Sequence, residues 1–439
     1  MRYMPKHIAE SESGRALLGR AWNWVRGRHR FTASLVDQLL GSSFQSPHRT
    51  LSAYVEMFCN FRPTDGQPFV DEERADVVLL PSSKLSLDFS QILNDPGRLS
   101  LFSEVLYVWL IQREHLPLTE NKEKLVQYGF ARFPDGKGKY ALVDEPLVLL
   151  AAVQQFRTVS TFSFEEYITN RLLHEEGRGQ YFEQFVGLYL ASAFDDGRNL
   201  CDVFDFGESV PEWARQGAEI VSVVRDGEKT SVHRFHLPGR MGATSVIGRK
   251  CADVESTLEW FENPSTLMCF PDVQMGPDVG LFARLDCGLI LAIVVQIRWR
   301  RERILSKPVQ LHAVSTVDPS KFYMHQNLKD KKYGNARERI LESFRSLNDL
   351  SPDIETNGWF KDGLPVLRVI TSYPAAVRED QLGQCVSLDM DRCLTVFDKD
   401  HVLKAVALSL GIAAGPKRGA EDDSIDTRPK KRSLPMAFP

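Results

Sequence analysis

Gly276-Pro277-Asp278, the apolar segment 279–284, the turn Asp286-Cys287-Gly288 and the returning segment 289–298 are the stretch on which the fold is decided. Residues 289–295 form one of the longest unbroken apolar runs of the chain. A run that short reads as a strand buried on both faces, since a membrane-spanning helix needs about 20 such residues. The turn between the two segments predicts that the second strand returns beside the first. Side chains alternate along a strand, so Gln296 and Arg298 leave the same face. Asp278 heads the neighbouring strand, which brings an acid and a polar pair toward one point. Ahead of them, Gly177-Arg178-Gly179-Gln180-Tyr181-Phe182-Glu183 lies in a helix predicted over 165–194, and that helix can add the Glu183 carboxylate.

Further strands are expected at 200–204, 219–224 and 365–370, with helices at 325–347 and 401–411. Helices and strands alternate through this whole block, which argues for an α/β fold over 161–412. Residues 15–60 read as helical from the spacing of Ala16, Leu17, Leu18, Ala21 and Trp22 and of Leu35, Val36, Leu39 and Leu40, within a helical region at 1–70. Residues 61–71 read as a Pro-, Asp- and Gly-rich loop. Over 71–160, helices at 101–113 and 120–128 precede two short apolar segments around Asp135-Gly136-Lys137-Gly138, the pattern of a helical unit with a β-hairpin wing. A winged helix docks DNA or serves as a packing module. The charged tail, 413–439, is too polar to build a core.

With 43% hydrophobic and 26% charged residues the composition is that of a globular chain. A formal charge of −4 excludes a bulk polycation while leaving room for local basic patches. Seven scattered cysteines without a C-x-x-C pair offer no zinc knuckle or disulfide framework, which fits reduced thiols in cytosol or nucleus. Residues 1–14 carry no apolar segment of the signal-peptide kind. His233 and His236 form an H-x-x-H pair with no further ligand at metal spacing. The stretch from Gly242 to Lys250 superficially follows a phosphate-binding loop, but its glycines are one residue too far apart and Arg249 stands where the lysine belongs.

The helix Glu, strand Asp and polar pair resemble the PD-(D/E)XK nuclease superfamily, the restriction-endonuclease-like fold with a central mixed sheet. EGRGQYFEQFVGLYLASAF (176–194), DVFDFGESVPEW (202–213) and FPDVQMGPDVGLF (270–282) are similar to stretches of fungal Crinkler-type and retrotransposon-hot-spot-type proteins. The resemblance covers most of 160–310. Fuller members carry an ATPase, whose motif this chain lacks, and residues 1–60 would then be the remnant of an ATPase lid. The resemblance implies Mg²⁺ or Mn²⁺ held by Glu183, Asp278 and Gln296, with Arg298 at the position of the superfamily's lysine. Mg²⁺ accepts one or two carboxylates completed by water and phosphate oxygens. Arginine can grip a phosphate bidentately but keeps its proton and cannot serve as a base. Binding is therefore expected to survive the substitution better than cleavage does. The implied function is a metal-dependent nuclease, or alternatively a catalytically inactive nucleic-acid-binding or host-interaction effector.

Arg298, Arg300, Arg301 and Arg303, with Trp299 among them, make a basic strip suited to a DNA phosphate backbone. Lys329, Lys331, Lys332, Arg337 and Arg339 make a second, which reads more simply as a solvated helix face. In the tail, Lys417-Arg418 and Arg428-Pro429-Lys430-Lys431-Arg432 resemble a bipartite nuclear localisation signal read by an importin. The expected location is the nucleus, with cytoplasm.

Overall fold

A computed structural model describes residues 10–388 except 26–28, 60–62, 64–65, 75, 80–86, 113–116, 120–121, 135–136, 158–177, 196, 227–228, 235–247, 265, 325–330 and 353–358. The localisation residues Lys417, Arg418, Arg428, Lys430, Lys431 and Arg432, the helix expected at 401–411, and His236 lie outside the described residues. No helix among those described is long and apolar enough to cross a membrane.

The chain is a mixed α/β protein. Its N-terminal part is helical: α1 (Glu12–Val25), α2 (His29–Gly41), α3 (Pro47–Cys59), α4 (Gln67–Glu72), α5 (Ser90–Leu93), α6 (Pro96–Gln112), α7 (Lys122–Gln127) and α8 (Pro146–Arg157). One continuous core joins all of these but α4, from Leu17 and Trp24 through Tyr54, Phe102 and Phe130 to Ala152. The two segments expected at 1–70 and 71–160 thus share a single core. The loop expected over 61–71 gives way to α4 at Gln67, where Pro68 stands in the first turn with its φ already set for a helix. The expected wing is reduced to isolated bridges, Leu118 with Ala141 and Arg132 with Leu142. At the start of α2, Arg30 ties this helix to later parts of the chain: its guanidinium donates to the Gly129 carbonyl at 2.6 Å and lies 3.7 Å from Glu145.

The second part is a mixed sheet of eight strands among the described residues. They are β1 (Ala218–Asp226), β2 (Lys229–Arg234), β3 (Gly248–Lys250), β4 (Met268–Phe270), β5 (Val279–Leu285), β6 (Ile290–Ile304), β7 (Val366–Ala376) and β8 (Val386–Ser387). The order is β2-β1-β5-β6-β7-β8, with β4 also pairing β5 and β3 pairing β4. β5 and β6 form the expected antiparallel hairpin, Val279 opposite Val295, whereas β6–β7, β7–β8 and β3–β4 are parallel. The alternation read from the sequence holds. Val279, Leu281, Leu291, Ile293 and Val295 enter the core on one face, and Phe282, Ile290, Ala292 and Val294 enter the core on the other.

Helix α9 (Arg178–Asp195) covers the first face. Helices α11 (Val254–Glu262), α12 (Lys307–Thr316) and α13 (Lys331–Arg345) cover the second. After α9 the short helix α10 (Leu200–Val203) stands where the sequence had suggested a strand. Leu200, Val203 and Phe204 are buried there at helical spacing, so burial is satisfied by one turn of helix. The helix expected over 165–194 is seen from Arg178 onward, and that expected over 325–347 as α13. β6 runs past the expected end at Arg298 because β7 keeps pairing with it, through Arg300 opposite Pro374 and, after a register shift, at Ile304 opposite Ala376. Helix α6 packs against β3, which ties the N-terminal helices to the edge of the sheet.

Candidate active-site cleft

Along α9 the residues Phe182, Val186, Tyr189, Leu190, Ala193 and Phe194 are buried at i, i+4, i+7 and i+8 spacing, the stripe that presses the helix onto the sheet. Burying each of the large ones contributes about 1.5–3 kcal/mol. Gly187 permits the close fit, since a Cβ there would lie 2.8 Å from Met268 Sδ. Glu183 follows Phe182 and so stands at the margin of this stripe, half-buried. Phe182 itself is fixed by Trp299 and Tyr373, with ring centroids 5.6 and 5.9 Å away. Trp299 is therefore an anchor for α9.

Asp278 is set by the turn before it. Gly276 has φ +126, and a Cβ there would sit 2.6 Å from the Thr316 carbonyl oxygen. Only glycine lets the turn approach the end of α12 this closely. The Asp278 N–H then donates to the Val295 carbonyl at 2.9 Å. Its Oδ2 accepts from the Ile297 N–H at 2.6 Å and from the Gln296 side-chain amide. Gln296 is fully buried, and its amide oxygen accepts from the Thr316 hydroxyl. The resemblance assigned Gln296 to a metal. Its amide instead lies beneath the cleft floor with both ends occupied, relaying a hydrogen-bond chain from Thr316 to Asp278. The expected ligand is a positioning residue for Asp278.

Glu183, Asp278 and Arg298 line one cleft of about 430 Å³, together with Gln180, Lys250, Phe270, Asp272, His312 and Thr316. Three of the four residues picked out from sequence thus meet. Burial pushes the Asp278 carboxyl up to about 6, against the pull of the Ile297 N–H, the Arg298 guanidinium and the Gln296 amide. Glu183 is pushed up to about 8, first by burial and then by the negative charge of Asp278, with Lys250 and Arg298 pulling the other way. At neutral pH one acid is therefore ionised and the other holds its proton.

The basic strip is only partly in this cleft. Arg298 lines it, while Arg300 and Arg303 are exposed farther along β6. The Arg301 side chain lies outside the described residues. In the second strip Arg339 is bound to Glu262 at 2.7 Å and to Glu255 at 3.3 Å, joining α13 to α11. The sequence reading passed over Lys250, His312 and Thr316. Lys250 belongs to a strand of three residues, and Thr316 reaches the site through Gln296 and Gly276, both distant from it in sequence.

No known protein family, curated protein or solved structure matches the chain.

Among the described residues no three His, Cys, Asp or Glu side chains gather as a metal cluster. Two carboxylates do share the cleft, each with its proton affinity raised chiefly by burial. Hard oxygen donors of this number suit Mg²⁺ or Mn²⁺, whose remaining positions water and phosphate fill.

Proposed function

We propose that the chain is a nucleic-acid-directed protein of the PD-(D/E)XK kind, similar to the fungal Crinkler-type and retrotransposon-hot-spot-type lineage. In this reading the sheet domain is restriction-endonuclease-like, the preceding helices and bridges are a winged-helix-like unit, and the 417–432 clusters carry the protein to the nucleus through an importin. The observation that supports it is the meeting of Glu183, from α9, with Asp278 and Arg298, from the β5–β6 hairpin, in one cleft.

Glu183 and Asp278 would hold the divalent ion, Glu183 giving up its proton as it does so. When bound, such an ion lowers the pKa of its water and offsets charge on the scissile phosphate. Asp278 is held for this task by the Ile297 N–H and the Gln296 amide. Arg298 grips the phosphodiester through its planar fork and stays charged throughout. Incubating the purified protein with plasmid and Mg²⁺ or Mn²⁺ tests the reading. Metal-dependent nicking that Asp278→Ala abolishes supports it, and equal cleavage by wild type and Asp278→Ala overturns it. Arg298→Lys is expected to raise cleavage by restoring a titratable amine on the strand.

The permanent charge of Arg298 favours a second reading, a binding protein or host-interaction effector that cuts nothing. It predicts salt-sensitive DNA binding that ignores Mg²⁺ and weakens in Arg298→Ala. A salt-independent affinity removes it.

A further inference from the structure

The stretch around Lys250 failed as a phosphate-binding loop, yet the sheet carries that lysine into the cleft. In β3 and β4 Lys250 lies opposite Phe270. Cys269 lies opposite Gly280, so Phe270 continues opposite Val279, which pairs in turn with Val295. Lys250, Phe270, Val279 and Val295 thus form one row across the sheet. Residues paired in this way share a face, and Phe270, Val279 and Val295 all belong to the face under α9. Lys250 therefore rises on the same side as Glu183. Strands are spaced about 4.8 Å apart, so β3 lies roughly 10 Å from β5, within reach of a four-carbon side chain crossing toward the acids. The charge of Lys250 indeed acts on Glu183, and the side chain lines the cleft. Its neighbour Arg249 is on the other face and pairs with Glu259 at 3.3 Å.

From this register we infer that Lys250 is a second catalytic cation of the cleft, gripping the scissile phosphodiester from the side opposite Arg298 and protonating the leaving oxygen. The inference rests on the cleft taking a phosphodiester. Water oxygen forms the new bond to phosphorus and releases its proton to solvent. The bond from phosphorus to the leaving oxygen breaks, with its electron pair on that oxygen. The Lys250 ammonium gives that oxygen a proton, becomes a neutral amine and is reprotonated from solvent. The products are a phosphomonoester and an alcohol. Arg298 holds its proton too tightly for this step, and Glu183 is committed to the metal.

The experiment uses the full chain as wild type, Lys250→Arg, Lys250→Ala and Arg249→Ala, each confirmed folded by thermal melting. Three properties are measured: Mn²⁺ affinity by calorimetry, duplex oligonucleotide affinity across a salt series in Ca²⁺, and cleavage in Mn²⁺. Arginine retains the phosphate contact and cannot transfer the proton. Lys250→Arg is thus expected to bind duplex within about threefold of wild type and to cleave at least about 100-fold more slowly. Lys250→Ala is expected to lose both properties, to lower the salt slope by about one, and to bind Mn²⁺ no more weakly than wild type. Arg249→Ala should match wild type in all three. Cleavage by Lys250→Arg at the wild-type rate overturns the proton-transfer role, and an unchanged salt slope in Lys250→Ala overturns the phosphate contact. Wild type that binds duplex without cutting it contradicts both the nuclease reading and the proton transfer, leaving the phosphate contact to the salt slope. Wild type that binds no duplex overturns the whole inference.

Discussion

Replacing Glu183 by glutamine should make the metal-free protein more stable, and the pH dependence of that gain is distinctive. The Glu183 carboxyl rises from its ordinary 4.5 to about 8 because burial and the Asp278 charge both disfavour its ionised form. Below 4.5 the folded and unfolded chains both hold the proton, and the carboxyl imposes no penalty. As pH climbs from 4.5 to 8 the unfolded chain releases the proton while the folded chain keeps it, so stability falls. Above 8 the penalty is complete. At 1.36 kcal/mol for each tenfold change in proton affinity, the shift corresponds to about 5 kcal/mol. Glu183 is only half-buried, and water screening reduces the expected gain to about 1–3 kcal/mol. Urea unfolding in EDTA at about pH 8.5 and again at about pH 4.5 measures it. Glu183→Gln should be the more stable protein at the higher pH and equal to wild type at the lower, and Mn²⁺ should reverse the order by stabilising wild type alone. A variant less stable than wild type at pH 8.5 would refute the claim that two acids are forced together in this cleft.

Three further outcomes follow from the same geometry. Mn²⁺ binding at pH 7 should release about one proton, mostly from Glu183, and almost none above about pH 9.5; calorimetry in two buffers of different ionisation enthalpy counts it. Gln296→Glu should remove the amide donor to Asp278 and set a third carboxylate against it, lowering stability in EDTA by about 1–3 kcal/mol, read by thermal melts. Gly276→Ala should cost about 2 kcal/mol or more, because the Cβ meets the Thr316 carbonyl in a left-handed turn, and should weaken Mn²⁺ binding through Asp278, whereas Gly138→Ala, with open space at its Cβ, should leave metal binding unchanged.

The hairpin was legible because its signals are local. An unbroken apolar run, a Gly-containing turn and an acid after Gly-Pro lie within about two dozen residues, and β5 and β6 form as read. Glu183 was legible as an acid on a helix that precedes the hairpin and can pack beside it. What escaped depends on partners far along the chain. The role of Gln296 is set by Thr316 on α12, which donates to its amide oxygen, and no spacing rule reveals that hydrogen bond. Lys250 sits on a strand too short to show alternation, and its address comes from β4. Trp299 lies among arginines and read as part of a basic strip, yet strand alternation turns it to the opposite face, onto Phe182. At 200–204 a short apolar segment was compatible with either strand or helix, and tertiary burial chose one helical turn.

The most direct test of the central claim is an anomalous difference map from crystals of the full chain soaked in Mn²⁺. The expected result is a peak in the cleft with carboxylate oxygens of both Glu183 and Asp278 in its coordination shell, about 2.1–2.3 Å away, lost in Asp278→Ala. A cleft without a peak at saturating Mn²⁺, or a peak that one of these two carboxylates does not touch, would contradict it.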